Sequence, residues 1–326
     1  MVGCSAPTVS GTARSQSTPP PTTSRSTTSS PAASPGHSQT VMLTSSMASF
    51  TLPAAVSRPT VFAAGEGLLV VGGLTAADST TQAILRADPV RGTVDQAGQL
   101  PVPVHDAAGA VVSGRDLLLG GGSTGVTSAV QDVTPGESPQ VISHLPRPRA
   151  DLVAISNSDV GYVLGGFDGT QGSTTILRTQ DGRTSAVIGT LPVSVRYPAV
   201  AVAAGSIWLF GGEHAGKQVT DVQRVDLTTG HGSVTGHLPR PLAHAGAFTL
   251  GGAVFVAGGR IGAAATDNVM RFDPANVSFT AAGRLPAARS YFGVAVVGGT
   301  AYLVGRENPK PVDTVIQVGA QAGGAP

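Results

Sequence analysis

From residue 52 onward the chain alternates short apolar runs with Gly-rich or polar interruptions, and the alternation repeats on a fixed spacing. Leu-Pro pairs stand at Leu52-Pro53, Leu100-Pro101, Leu145-Pro146, Leu191-Pro192, Leu238-Pro239 and Leu285-Pro286, separated by 48, 45, 46, 47 and 47 residues. Twenty positions after each Leu comes a glycine: Gly72, Gly120, Gly165, Gly211, Gly258 and Gly305. A second glycine follows in the first five units, whereas the sixth has Arg306. Three positions before the first glycine a bulky apolar residue recurs, as Leu69, Leu117, Tyr162, Trp208, Phe255 and Tyr302. A period of this length marks a chain built from stacked supersecondary units.

Within a unit, Phe248-Thr249-Leu250, Gly251-Gly252 and Ala253 to Ala257 read as two strands joined by a Gly turn. A variable loop follows, then a strand such as Val222 to Asp226 or Val269 to Asp273, a turn, and a polar-apolar strand that leads to the next Leu-Pro. Four strands per period without helical periodicity predict one propeller blade. Five units are complete, and the sixth has only three strands, the third at Thr314 to Val318. Val41 to Thr51 is expected to supply its fourth, closing a ring of six blades and leaving only short edges.

The pattern of Leu-Pro, apolar hairpin, Gly-Gly and Val-x-x-Val/Phe-Asp resembles the kelch repeat over residues 52 to 318. The resemblance implies an all-β, six-bladed kelch-like β-propeller with four-stranded blades. The kelch Arg after Leu-Pro stands at its usual offset only as Arg149 and Arg289, and the Trp of the outermost strand is missing throughout. The blades are therefore expected to pack with Val, Ile and Phe, and no kelch binding site carries over residue by residue.

Before the repeats the composition changes. Residues 5–40 hold 10 Ser, 8 Thr and 6 Pro, with Arg14 and Arg25 as the only charges. Such a stretch buries too little apolar surface to offset its chain entropy and is expected to be a flexible tether. Gly3-Cys4-Ser5 ahead of it resembles the processing site of a bacterial, actinobacterial-type lipoprotein, in which the cysteine is lipidated. No basic and apolar leader precedes Cys4, so either the natural start lies upstream or Cys4 is an ordinary free thiol. The expected organisation is a remnant of the processing site at 1–4, the tether at 5–40, the propeller at 41–320 and a disordered tail at 321–326. An extracytoplasmic location follows from the lipoprotein resemblance, either secreted or lipid-anchored, with membrane contact only through the lipid.

Charge narrows the function classes. Lys+Arg 20 against Asp+Glu 19 leaves a net charge of +1 with no basic cluster, which argues against nucleic acid as a partner. One cysteine excludes a disulfide framework and Cys-rich metal sites. The seven histidines have no metal-ligand spacing, and neither metal nor cofactor is expected. Gly120 to Gly125 satisfies the dinucleotide and nucleophile-elbow patterns, but both need a helix downstream, and Val126 to Gln140 has no helical face.

Candidate chemistry comes from the spacing. Six positions after each Leu stand Arg58, Asp106, Asp151, Tyr197, His244 and Tyr291, each just before an innermost strand. In a ring, equivalent offsets converge on one mouth. Phe167, Glu213 and Arg260, with Glu307, follow the glycines and are expected on the same face. Entry positions to inner strands are also polar simply because they touch water. Yet this mixture of cations, anions and rings is rich for a chain with 12% charged residues, and it suits a small polar ligand, glycan or peptide. The resemblance implies ligand docking on this face. A monomeric binding or interaction module is the leading expectation. The alternatives are a carbohydrate-acting enzyme of the mutarotase or epimerase type, using Glu213, Asp106 or Asp151 with Arg260 or Arg58, and a structural envelope protein. The copper radical oxidases of the superfamily are set aside because the propeller contains no Cys.

Overall fold

The structure is a computed structural model that describes residues 41–307 and 310–322. Chain contacts divide the protein into two units, Met1–Ser38 and Gln39–Pro326. The Ser/Thr/Pro segment and Cys4 lie outside the described residues.

The second unit is an all-β propeller of six antiparallel sheets. Blade 1 comprises Thr60–Ala64, Gly67–Val71, Ala83–Asp88 and Thr93–Gln99; blade 2 comprises Ala108–Val112, Arg115–Leu119, Ala129–Asp132 and Gln140–His144. Blade 3 comprises Ala150–Asn157, Val160–Phe167, Thr175–Thr179 and Ala186–Thr190; blade 4 comprises Ala199–Ala203, Ser206–Phe210, Asp221–Asp226 and Gly232–His237. Blade 5 comprises Gly246–Leu250, Ala253–Ala257, Ala264–Asp273 and Ser278–Arg289; blade 6 comprises Gly293–Val297, Thr300–Val304 and Val312–Ala322, completed by the N-terminal strand Val41–Ser57. Each innermost strand touches those of both neighbouring blades, and the sixth touches the first, so the ring is closed.

The N-terminal strand pairs antiparallel with Val312–Ala322, in register from Val41 opposite Ala322 to Met47 opposite Ile316. This pairing carries the final strand to Ala322, past residue 320 where the sequence reading ended the propeller. Past two irregularities the N-terminal strand turns toward blade 1, pairing Val56 with Thr75.

Alternation explains the core. In the second strand of blade 1, Leu68 and Val70 face blade 6 while Leu69 and Val71 face blade 2. Both faces of the blade are buried, so the strand reads as an unbroken apolar run. The core accordingly consists of six clusters, one between each pair of neighbouring blades. The closing cluster joins Phe50 and Leu52 of the N-terminal strand to Val304 and Val315 of blade 6 and to Val61 and Leu68 of blade 1.

The glycine pairs clasp each blade to the next. The amide of the second glycine donates to a carbonyl two residues before the next blade's +6 position: Gly73 to Val104 at 2.9 Å, Gly121 to Arg149 at 2.8 Å, Gly166 to Val195 at 2.8 Å, Gly212 to Leu242 at 2.8 Å and Gly259 to Arg289 at 2.7 Å. In the sixth unit Arg306 takes this role, donating to Val56 at 3.1 Å across the closure. Gly258 has φ 61°, and a Cβ there would stand 2.6 Å from the Arg289 carbonyl oxygen that Gly259 holds. Arg149 and Arg289, the two residues at the kelch Arg offset, are buried and donate to backbone carbonyls of the blade each leads into, Thr175 at 3.0 Å and Thr314 at 2.9 Å.

Two outcomes follow for stability. Deleting Val41 to Thr51 removes Phe50 from the closing cluster together with a whole ladder; burial of one such Phe is worth about 3–5 kcal/mol, so the Tm falls by roughly 10 °C or more. An unchanged Tm after this deletion rules out closure by the N-terminal strand. Gly258→Ala adds a backbone collision to left-handed strain and lowers stability by roughly 2 kcal/mol or more in denaturant unfolding. Gly65→Ala, at φ 64° with no heavy atom within 4 Å of the added Cβ, is the matched control that carries only the strain, about 1 kcal/mol. Equal losses in the two variants contradict the clasp.

Candidate functional site

The six +6 residues share one backbone conformation. Arg58, Asp106, Asp151, Tyr197, His244 and Tyr291 all have φ between 50° and 58°, the left-handed region that non-glycine residues seldom enter. In five of the six the amide donates to the equivalent residue of the preceding blade, Asp106 being the exception. Arg58 N–H donates to Tyr291 O at 2.8 Å, Asp151 to Asp106 at 3.0 Å, Tyr197 to Asp151 at 2.9 Å, His244 to Tyr197 at 3.1 Å and Tyr291 to His244 at 3.2 Å. A hoop of main-chain hydrogen bonds thus runs around the axis and brings residues far apart in sequence side by side.

Their side chains fill the hoop by satisfying one another. Arg58 donates from Nη1 to Asp106 at 2.6 Å and makes a two-pronged contact with Glu307, spanning blades 6, 1 and 2. The His244 ring stacks on Tyr291 at 3.7 Å between centroids and leans on Tyr197 at 4.2 Å. Asp151 accepts from Nε of Arg196 at 2.6 Å. Only 7% of the Asp106 side chain and 6% of Asp151 is exposed, so the sequence-predicted mouth is a polar plug. The six +6 residues, together with small inner-strand residues such as Ala199, Ala245 and Ala247, line a cavity of about 180 Å³.

Burial and charge set the protonation of the plug. Burial pushes the Asp106 carboxyl up to about 7, with Asp151 and Glu307 reinforcing the effect and Arg58 opposing it. For Arg58 burial disfavours the charge, but the Glu307 hydrogen bond and the Asp106 charge outweigh it, and the guanidinium holds its proton more firmly than usual. Burial lowers His244, against the pull of Glu213, and raises Tyr197 and Tyr291. Glu213 is lowered by its hydrogen bond with His244. A carboxylate only accepts, so His244 carries its proton on Nε2 and donates to Glu213 Oε1 at 2.9 Å. His244 Nδ1 is buried without a partner among the described residues.

The residues after the glycines rise above the plug. Arg196 and Glu213 exchange main-chain hydrogen bonds at 2.9 and 2.7 Å, and Ala243 and Arg260 form the same bridge in blade 5. Directly opposed positions put side chains on one face. Arg196 lies over the Phe167 ring, 4.6 Å from its centroid. Arg260 donates from Nη1 to the Tyr291 hydroxyl at 3.2 Å, and its Nε is buried without a partner among the described residues. Between blades 3 and 4 these groups border an open slot of about 300 Å³, lined by Phe167, Gln171, Ser194, Arg196, Glu213 and His214 among others.

Sequence reasoning missed Arg196, Gln171, Ser194 and His214. A signal for Arg196 was available: it precedes a +6 residue, the position that pairs with the residue after the glycines, and its pairing mate Glu213 has the opposite charge. Gly120 to Gly125 forms a turn bridged to His105 and Val126 and leads into the strand Ala129–Asp132, with no helix. Among the described residues no three His, Cys, Asp or Glu side chains are grouped as metal ligands.

A family model described as the kelch motif matches residues 241–281, one repeat running from the entry of blade 5 into its outermost strand. Among solved structures, that of YjhT is similar in fold, with a TM-score of 0.71 at 17% identity, covering 83% of this chain and 99% of its own. No curated protein matches the chain by sequence. The motif match and the blade geometry together support a kelch-repeat propeller.

The protonation of Asp106 yields a test. Its folded value of about 7 lies above the ordinary 3.8, so the folded state takes up a proton that the unfolded chain gives away. The stability this contributes is complete below about pH 4 and is lost as the pH rises through about 7. Asp106→Asn flattens that part of a Tm-versus-pH profile; superimposable profiles for variant and wild type refute the assignment.

Proposed function

We propose that this protein is a binding module whose ring face grips a small polar ligand, glycan or peptide. The observation that carries this reading is a division of labour among the charges. Asp106, the carboxyl nearest neutrality, is buried and already bonded to Arg58. Arg196, Glu213 and His214 border the open slot, with 37% of the Arg196 side chain and 25% of the Glu213 side chain exposed. Fixed polar groups around an open concavity are what recognition of a polar molecule requires. Arg260, a half-buried cation with no carboxylate in ion-pair distance among the described residues, adds a point of attraction beside Glu213.

The second reading is a carbohydrate-acting enzyme of the mutarotase or epimerase type on the same face. It is favoured by the pairing of Glu213 with a neutral His244 and by the near-neutral Asp106, since proton transfer needs groups poised near the working pH. On either reading the chain works as a monomer outside the cytoplasm, secreted or held to the membrane by a lipid on Cys4.

A thermal-shift panel of neutral and acidic sugars, amino acids and cell-wall peptides tests the proposal. A ligand at a hundred times its Kd stabilises the folded state by about 2.7 kcal/mol, a Tm rise of several degrees. Glu213→Gln and Arg260→Ala are expected to weaken a hit by about tenfold each, as for loss of a hydrogen bond to a charged group. A panel without any hit, together with unaltered behaviour of Arg58→Ala and His244→Ala, overturns the binding module in favour of a structural role. Exchange of sugar epimers or anomers accelerated by the wild type and abolished in Glu213→Gln selects the enzyme.

A further inference from the structure

We infer that the slot between blades 3 and 4 is a subsite for one neutral, polyhydroxylated ring of the sugar class. This rests on the binding-module reading above and assigns that module its ligand chemistry. At about 300 Å³ the slot is at the small end of ligand pockets, the scale of a single ring rather than a peptide.

Its walls are held before any ligand arrives. On the blade 3 side, Asp168 Oδ1 accepts from Thr170 N–H at 2.9 Å, from the Thr170 hydroxyl at 2.7 Å and from Gln171 N–H at 2.8 Å, and Phe167 bridges to Gly172. On the blade 4 side a short hairpin pairs Glu213 with Gln218 and His214 with Lys217. His214 Nδ1 stands 2.8 Å from the Ser194 carbonyl oxygen, which only accepts, so the proton is on Nδ1 and Nε2 is left as an acceptor. Preorganised walls reduce the ordering cost of binding.

What remains unbonded determines the ligand class. Arg196 uses Nε and Nη2 on Asp151, leaving Nη1 as a donor. Glu213 uses Oε1 on His244, leaving Oε2 as an acceptor. The exposed Gln171 amide offers both a donor and an acceptor. Donors therefore stand beside acceptors, which matches hydroxyl groups that each give and take a hydrogen bond. A carboxylate or phosphate calls for a cation with charge to spare; Arg260 stands outside the slot lining, the Arg196 charge within it is already held by Asp151, and Glu213 repels anions. The same engagement of Arg196 disfavours the carboxylate end of a free amino acid.

Saturation-transfer NMR and titration of the full chain test this with D-glucose, D-galactose and N-acetyl-D-glucosamine as neutral probes, D-glucuronate as the same ring bearing a carboxylate, and L-glutamate as the zwitterion. At least one neutral sugar is expected to bind saturably and at least tenfold more tightly than glucuronate or glutamate. His214→Ala and Gln171→Ala, both on exposed wall positions, are expected to weaken it by about tenfold each with Tm unchanged. Neutral-sugar binding indifferent to both variants removes the ligand from the slot. Tighter binding of glucuronate or glutamate, weakened by those variants, overturns the neutral class. A peptide hit with no sugar binding also overturns the subsite. In these three cases the binding-module reading survives; if no probe and no member of the wider panel binds, both fall together.

Discussion

Six hydrogen bonds from one blade's glycine turn to the next blade's entry loop hold the rest of the molecule in place. Each asks a main-chain amide to approach a main-chain carbonyl at a point where a Cβ has no room. In all six units the first glycine is the residue that this approach requires, and in the sixth Arg306 supplies the amide. Once the carbonyl is held, the chain reverses within two residues, and in five of the six blades the left-handed +6 residue delivers its own amide to the neighbouring blade. The clasp therefore sets the inter-blade spacing on which six separate apolar interfaces depend, and it also sets the ring of side chains around the axis. Backbone strain at six non-glycine positions is the same in every blade whatever the side chain. It belongs to the architecture, and the chemistry is superimposed on it.

That superposition explains how a chain with few charges gathers so many at one face. Arg58, Asp106, Asp151 and Glu307 are brought within reach by the hoop, and in a water-poor setting they are bound to pair. Pairing engages these charges where they line the axial cavity, and further polar groups stand at the residues that follow the glycines. The Tyr197, His244 and Tyr291 rings do the same with their faces, stacking where they would otherwise present apolar surface to the mouth.

Blade number, strand order, closure by the N-terminal strand and the convergence of the +6 residues were all legible in the sequence. They rest on short-range rules: turn residues, alternation and a constant offset. The role of the glycines as inter-blade sockets was not legible, because it depends on a carbonyl some thirty residues away and no side chain advertises it. That the ring side chains neutralise one another was also hidden. Arg58 is 249 residues from Glu307, and adjacency around a closed ring joins the first unit to the last. Arg196 was overlooked for a subtler reason. It stands one place before the +6 position, and in a strand one place changes the face. Only the bridge to Glu213 puts it above the plug. His214 becomes prominent only with the hairpin that carries it, in which it pairs with Lys217.

The shared sixth blade has a consequence for how the chain comes into being. Its outer strand is synthesised first and its other three last, so Ser46 and Gln317, hydrogen-bonded at 3.1 Å, are 271 residues apart. During translation the first strand has no partner until the last blade emerges, and an unpaired edge is a template for the wrong partner. Blades 1 to 5 have contacts local enough to assemble in order, but the final step must close a loop spanning nearly the whole propeller. The entropy of that closure grows only with the logarithm of its length, so the delay is long in time and modest in free energy.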